Sequence, residues 1–481
     1  MTASVGASPL LSAAPAAGSA GRRACARLVL VSLVVPVAFE IAGFRLTPSL
    51  LVLIALYPML LMRVLSGRLR LGLVDLLFVL YVGWLSLSML VNTPGRFVAY
   101  TGQQGLAILG GYMAGRVLVR DRADFAALLR FLFWIVALSL PFALIEALAD
   151  RPLIIELVRD HTPFSTFVEN DYEPRLGLYR AQWVFAHPIH YGVFAMLAFA
   201  PVVVGLGLAP VLRGLAAVLI GAACLLSVSS GPLLALMFQG PLFLWHRLAA
   251  RRSARPWREI GLSLGGLYLL LDLLSTKNAL VAISTRLALD SSTASYREQI
   301  WRYGSAQVAR TPWLGVGDNY WARPHWMVSA SIDNFWLLLA IVHGLPALVF
   351  FGTALGLSLV RINRRELGPD PALQALRLGW TLAMLGCVLV AGTVALWGEI
   401  LIFVMLMLGA GQWMLNAQPD QGAATPATPN AAPQPDRAGP VFTRFPAAAP
   451  PAPRPARRPP ALPAPRPVLA RNIRPLWRRQ P

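Results

Sequence analysis

Arginines interleaved with aromatic residues, in two long polar stretches, are where this sequence concentrates its chemistry. The first stretch, residues 150–187, carries Arg151, Arg159, Arg175 and Arg180, with Arg180 just ahead of Trp183, Phe185, His187 and Pro188. The second, residues 276–333, carries Arg286, Arg297, Arg302, Arg310 and Arg323 among Tyr296, Trp301, Tyr303, Trp313, Tyr320, Trp321 and Trp326. A guanidinium stays charged at any physiological pH, and its planar fork matches two phosphate oxygens at once. Beside aromatic faces that can cover a pyranose ring, such a fork suits a diphosphate joined to a sugar. Salt bridges and an interfacial aromatic belt explain the same spacing, so spacing alone leaves both readings open.

The elements that must position these residues are membrane helices. The hydrophobic fraction is 56% and the charged fraction 13%, too little charge for a soluble domain of this size. The apolar residues fall in runs of about 17 to 25, enough to cross a bilayer core of roughly 30 Å as helix. They do not alternate as barrel strands do. The expected fold is therefore all-α, a polytopic integral membrane protein of about twelve spans. These are placed at 28–44, 48–65, 71–91, 98–117, 125–149, 188–210, 215–229, 231–246, 259–275, 334–360, 378–395 and 397–416. The pair 215–246 could be one long helix, but Ser227, Ser229, Ser230, Gly231 and Pro232 predict a break. With twelve spans and both termini cytoplasmic, basic clusters such as Arg116, Arg120 and Arg122, or Arg247, Arg251, Arg252, Arg255 and Arg258, all face inward. The two long stretches then face outward as periplasmic loops.

Residues 1–27 read as a disordered cytoplasmic leader, and 417–481 as a disordered Pro/Ala/Arg-rich cytoplasmic tail suited to anionic headgroups or simply solvated. The net charge of +20 sits mostly in short loops and in this tail, which fits membrane orientation and excludes nucleic acid as the expected partner. Cys25, Cys224 and Cys387 have no metal-site spacing, and no disulfide is expected. No phosphate-cradling glycine-rich loop with lysine and no HExxH is present, and neither ATP-driven chemistry nor a serine nucleophile elbow is expected. His187 and His190 imitate metal ligands, but they lack an acidic or cysteine partner. Neither a metal site nor a cofactor is expected. Asp75, Glu40, Glu146, Asp272 and Glu399 fall near span ends, where interfacial solvation is the simplest account of each.

Three segments carry a resemblance. RLGLYRAQWVFAHPIHYG, Arg175–Gly192, resembles the R-x-x-x-x-F-x-HP-x-x-x-G segment of the O-antigen ligase and polymerase superfamily. YREQIWRYGSAQVARTPWLGVG, Tyr296–Gly317, is similar to that family's loop helix ending in P-x-x-G-x-G. SASIDNFWLLLAIVHGLP, Ser329–Pro346, resembles its last motif, with the polar pair Asp333–Asn334 followed at the family's spacing by Gly344. The resemblance covers roughly 28–416. It implies a glycosyltransferase acting at the outer face of the bacterial inner membrane, moving a glycan from a polyprenyl-diphosphate carrier to an acceptor hydroxyl. A ligase uses lipid A–core as acceptor, and a polymerase uses another lipid-linked repeat. The donor is already activated, so the resemblance implies neither ATP nor metal. Its implied partners are the lipid-linked glycan, the bilayer and other polysaccharide-assembly proteins.

By the same resemblance, Arg180 and Arg297 are the expected stabilisers of the leaving diphosphate. Arg175, Arg302, Arg310, His187, Trp301 and Asn334 are expected at the substrate. In ligases the last motif's polar pair begins with histidine, read as a base; here that position is Asp333. The departure resembles exopolysaccharide-polymerase relatives with Ser-x-Asp-Asn, and makes a polymerase of exopolysaccharide or O-antigen repeats the expected activity. A ligase is the alternative, and a lipid-linked-oligosaccharide flippase the alternative from another class. Asp333 could accept a proton, orient an arginine, or merely cap the helix that follows.

Overall fold

The computed structural model describes residues 19–41, 44–67, 69–167, 173–252, 256–274, 291–327 and 329–417. The expectations for the first 18 residues, for the tail beyond 417, and for Arg255 and Arg286 lie outside the described residues.

The chain opens with α1 (Ser19–Leu33) and a two-stranded antiparallel hairpin, β1 (Phe39–Ile41) and β2 (Phe44–Leu46). Next come α2 (Pro48–Leu65), α3 (Leu73–Asn92), α4 (Phe97–Gly105) running through a π-helical turn (Leu106–Gly110) into α5 (Gly111–Leu118), and α6 (Arg122–Ala149). The first long stretch holds α7 (Leu153–His161). Then follow α8 (Pro188–Ala200), closed by a second π-turn (Pro201–Gly205), α9 (Pro210–Leu226), α10 (Ser230–Ala249) and α11 (Pro256–Leu274). The second stretch holds α12 (Ser291–Arg310). The last four helices are α13 (Phe335–His343), α14 (Leu345–Arg364), α15 (Pro371–Ala391) and α16 (Gly398–Gly411). Proline in the first turn starts α2, α8, α9, α14 and α15, where its missing N–H costs nothing and its fixed φ suits the helix.

Seven helical stretches are long and apolar enough to cross a membrane: Pro48–Leu65, Leu73–Asn92, Arg122–Ala149, Pro188–Gly205, Leu345–Arg364, Pro371–Ala391 and Gly398–Leu415. They overlap seven of the expected twelve, but the expected span 334–360 is divided at Gly344 into α13 and α14, and the expected 378–395 starts seven residues earlier, at Pro371. Of the others, 98–117 is the π-interrupted helix α4–α5, and 215–229 is α9, apolar but only 17 residues long. The break between 229 and 231 is real: α9 stops at Leu226, Val228 has φ 40°, and α10 starts at Ser230.

Two expectations are corrected. The first span is not 28–44, because α1 begins at Ser19 and ends at Leu33. Residues 19–27 are therefore helical rather than part of a disordered leader. Fifteen residues rise about 22 Å, short of a bilayer core. Pro36 lacks the N–H a continuing helix needs. The apolar residues beyond it pair across the hairpin, Phe39 with Leu46 and Ile41 with Phe44. Second, three of the acids near span ends are buried rather than simply solvated, while Glu40 is exposed as expected. Asp75 is 2% exposed, ion-paired to Arg116 at 2.8 Å and accepts a hydrogen bond from Tyr112. Glu146 and Glu399 are likewise buried.

Contacts between connecting segments fall into two sets. In one, Arg22 and Arg23 meet Asp124, Arg116 reaches Asp75 and the Arg70 carbonyl, and Arg122 meets Asp370. In the other, Ala38 bridges Ser165, Arg96 pairs with Asp318, Ala181 donates to the Leu226 carbonyl, and Phe335 donates to that of Val394. Each pairing joins segments at or near helix ends.

Candidate functional site

The site is built on the second set of contacts. Its first wall is the chain from Arg175 to His187. Leu176 (φ 54°) and Gly177 (φ 76°) make a tight turn that brings Arg175 and Leu178 into a two-way backbone bridge. Tyr179 then donates to the Ala147 carbonyl, which fixes the chain against the end of α6. The buried carboxylate of Glu146 accepts from the backbone N–H of Gln182 (2.8 Å) and of Trp183 (2.9 Å). Trp183 is a buried non-glycine residue at φ 55°, a conformation that costs on the order of 1 kcal/mol or more unless its surroundings impose it. Glu146 is what imposes it, and Arg180 is thereby held between two anchors. Its Nη2 donates to Ser229 Oγ at 3.1 Å, in the break between α9 and α10.

His187 ends this wall. Its Nδ1 accepts from the Ile189 N–H at 3.0 Å and so caps α8. Burial, and then the positive charges of Arg180 and Arg175, push its pKa down to about 3. An unfolded histidine titrates near 6.5. The fold therefore favours the neutral ring, and its contribution is complete above about pH 6.5 and lost progressively as pH falls towards 3. We expect thermal stability in detergent to fall between about pH 7.5 and about pH 5. His187→Asn keeps a capping acceptor but does not titrate, so it should fall less. An equal fall in the two proteins would refute this assignment.

The opposite wall is α12, which carries the loop-helix resemblance. Near its start, Arg297 donates through Nη2 to the Thr393 carbonyl at 3.3 Å. Its Nε and Nη1 are buried and have no hydrogen-bond partner among the described residues. Burial, together with repulsion from Arg175, lowers its pKa, while Asp333 pulls the other way. Asp333 stands before α13 and accepts from Ser331 Oγ at 2.8 Å. It does not cap the helix: α13 starts at Phe335, and Asn334 is the cap, its side chain accepting from the Leu337 N–H at 3.0 Å. The capping account of Asp333 falls, and the side-chain oxygen of Asn334, a residue expected at the substrate, caps the helix.

Arg175, Arg180, His187, Arg297 and Asp333, drawn from segments up to 158 positions apart in sequence, thus share one electrostatic neighbourhood. Arg302 and Arg310 are turned away, and Trp301 is taken up by packing. Arg302 is exposed, over the ring of Tyr303. Arg310 is exposed at the far end of α12, about 20 Å along the helix from Arg297. Trp301 is half-buried and packs with Ile300, Trp321, Met327 and Ile332. Side chains five and thirteen positions on from Arg297 point to the other side of a helix.

Ser229, Thr393 and Glu146 are the components that residue-type reasoning missed. The first two lie in short turns of almost no charge, and their signal is only the helix break itself. The P-x-x-G-x-G segment, by contrast, proves to be a strut. Val316 and Gly317 donate to the carbonyls of Ile341 and Val342, and Leu345 donates to that of Pro312. Trp84 and Ser88 of α3 tie the same turn down from the side. Among the described residues no group of three or more His, Cys, Asp or Glu side chains could hold a metal ion.

Residues 215–352, which span α9 to the start of α14, match the family model described as O-antigen ligase. The match takes in Ser229, Arg297 and Asp333, and supports both a place in the O-antigen ligase-related superfamily and glycan transfer of that general type. No curated protein matches the chain.

Proposed function

We propose that this integral membrane relative of the O-antigen ligases transfers a glycan from a polyprenyl-diphosphate-linked donor to a sugar hydroxyl, polymerising exopolysaccharide or O-antigen repeats at the periplasmic face of the bacterial inner membrane. Both termini would then be cytoplasmic. The observation that carries the proposal is Arg297, a buried guanidinium with two unpartnered nitrogens, flanked by further arginines and one carboxylate. Guanidinium nitrogens shielded from water and left without hydrogen-bond partners are costly, and an anionic ligand removes that cost. A diphosphate leaving group matches it in charge and in fork geometry.

In this reading the acceptor hydroxyl oxygen attacks the anomeric carbon as the bond from that carbon to the phosphate oxygen breaks. The electron pair of that bond leaves on the polyprenyl diphosphate, whose growing charge Arg297 and Arg180 stabilise while Arg175 adds to the field. The acceptor proton passes to the Asp333 carboxylate. The glycosyl diphosphate is activated already, so the scheme calls on neither ATP nor a metal ion. Ligation to lipid A–core is the second reading, favoured by the description of the matching family; it uses the same donor site and a different acceptor.

The test is the lipid-extracted glycan profile of a deletion strain complemented with wild type or Asp333→Asn. A polymerase predicts single lipid-linked repeats accumulating in the variant while long polymer is missing. Full-length polymer stranded on its lipid carrier would point to ligation. Precursor confined to the cytoplasmic face would point to a flippase. A profile unchanged in both the variant and the empty deletion strain would refute glycan transfer altogether.

A further inference from the structure

We infer that Trp397 is the platform on which the sugar ring next to the donor diphosphate stacks, a role that rests on the glycan-transfer reading above. Trp397 ends the turn Gly392–Trp397 and caps the start of α16. Four residues earlier in that turn, the Thr393 carbonyl holds Arg297. The indole is 40% exposed although it sits at the rim of a buried site, and its edge is fixed. The His190 ring stands against it edge-to-face, with centroids 4.0 Å apart at 63°, and the His187 ring lies 6.2 Å away at 73°.

Three features separate this indole from an ordinary interfacial anchor. It is braced by two histidines, whereas a lipid-facing tryptophan needs only a wet edge and an oily face. One of those histidines, His187, lies within the electrostatic reach of Arg175 and Arg180, which places the indole beside the proposed diphosphate site. Finally, His190 is 2% exposed, and its Nε2 is buried with no partner among the described residues. A buried ring nitrogen left unpaired is unfavourable, and a ligand hydroxyl would satisfy it. The C–H face of a pyranose against the indole, with a hydroxyl reaching His190, meets both the exposed ring and the unpaired nitrogen. A free lipid tail meets only the first.

The experiment uses the full-length protein in detergent with a polyprenyl-diphosphate-linked glycan as donor, and polyprenyl diphosphate without sugar as competitive inhibitor. Trp397→Leu is expected to raise the donor KM about tenfold, equivalent to about 1.4 kcal/mol, and to leave the inhibition constant of the sugar-free diphosphate within about twofold. Trp397→Tyr, which keeps a stacking face, should restore most of the donor affinity. Arg297→Ala should weaken the sugar-free diphosphate as well as the donor. The platform is overturned if Trp397→Leu leaves the donor KM unchanged, if it weakens both ligands equally, or if Trp397→Tyr is as impaired as Trp397→Leu at equal thermal stability. If Arg297→Ala leaves inhibition by the sugar-free diphosphate intact, the diphosphate site itself fails, a result distinct from failure of the platform alone.

Discussion

Replacing Arg297 by alanine should lower the rate of glycan transfer about 100- to 1000-fold, the usual effect of removing one preorganised donor from a developing charge in a site shielded from water. The loss should appear in kcat as well as in donor KM, because negative charge grows on the diphosphate oxygens as the glycosidic bond breaks. Arg297→Lys should recover only part of it. Lysine restores the charge, but its ammonium cannot present two parallel donors, and its shorter reach forfeits the Thr393 carbonyl that orients the fork. Single-turnover transfer with a purified lipid-linked donor measures both variants. A kcat within about threefold of wild type for Arg297→Ala would remove the diphosphate site from this part of the protein. Arg302→Ala is the matched control: it removes the same charge from the same helix on a face that points away, so transfer should be close to wild type.

That contrast shows how much of the site could be read from sequence. Residue type and order picked out Arg175, Arg180, Arg297 and Asp333, and the fold brings them together. The sequence could not say which of the arginines on α12 turn inward, because a helix's inward face is set by what packs on it. Gly304 meets Leu337 and Ile341 of α13, and that contact fixes the rotation of α12 and with it the direction of Arg297. Asp333 and Asn334 were legible as a pair but not as individuals. Which of the two caps α13 depends on where the first helical turn closes, and the structure closes it one residue later than the pattern suggested. The apolar runs located most of the long helices well. They failed at 28–44, where hydrophobic residues that looked like the end of a span belong to a hairpin. Glu146 was hidden for a related reason. An acid near the end of an apolar run looks solvated in sequence, and only the fold shows two backbone N–H groups converging on it.

Gly344→Ala should be among the most damaging single changes in the chain, although Gly344 touches no proposed substrate. Its φ of 85° and ψ of 170° fall in a region that only glycine occupies readily, and a Cβ there would overlap the carbonyl of Trp313. Relieving the overlap means moving the Pro312–Gly317 turn off the junction between α13 and α14. The bonds from Val316, Gly317 and Leu345 would go with it. Strain of about 1–3 kcal/mol and about 1 kcal/mol for each lost bond give a penalty on the order of 5 kcal/mol, comparable with the whole stability of many domains. The expected result is little monodisperse protein by size-exclusion chromatography in detergent. Gly352→Ala, at a helical position where a Cβ meets nothing, should accumulate normally. The site should suffer for a geometric reason. α12 and α13 run side by side in the same direction, joined by the strut at their C-terminal ends and carrying Arg297 and Asp333 at their N-terminal ends. If any Gly344→Ala protein survives, its donor KM should be raised, because the guanidinium and the carboxylate are held level only while the far end is closed. Normal accumulation together with normal transfer would show that the strut carries neither the fold nor the site.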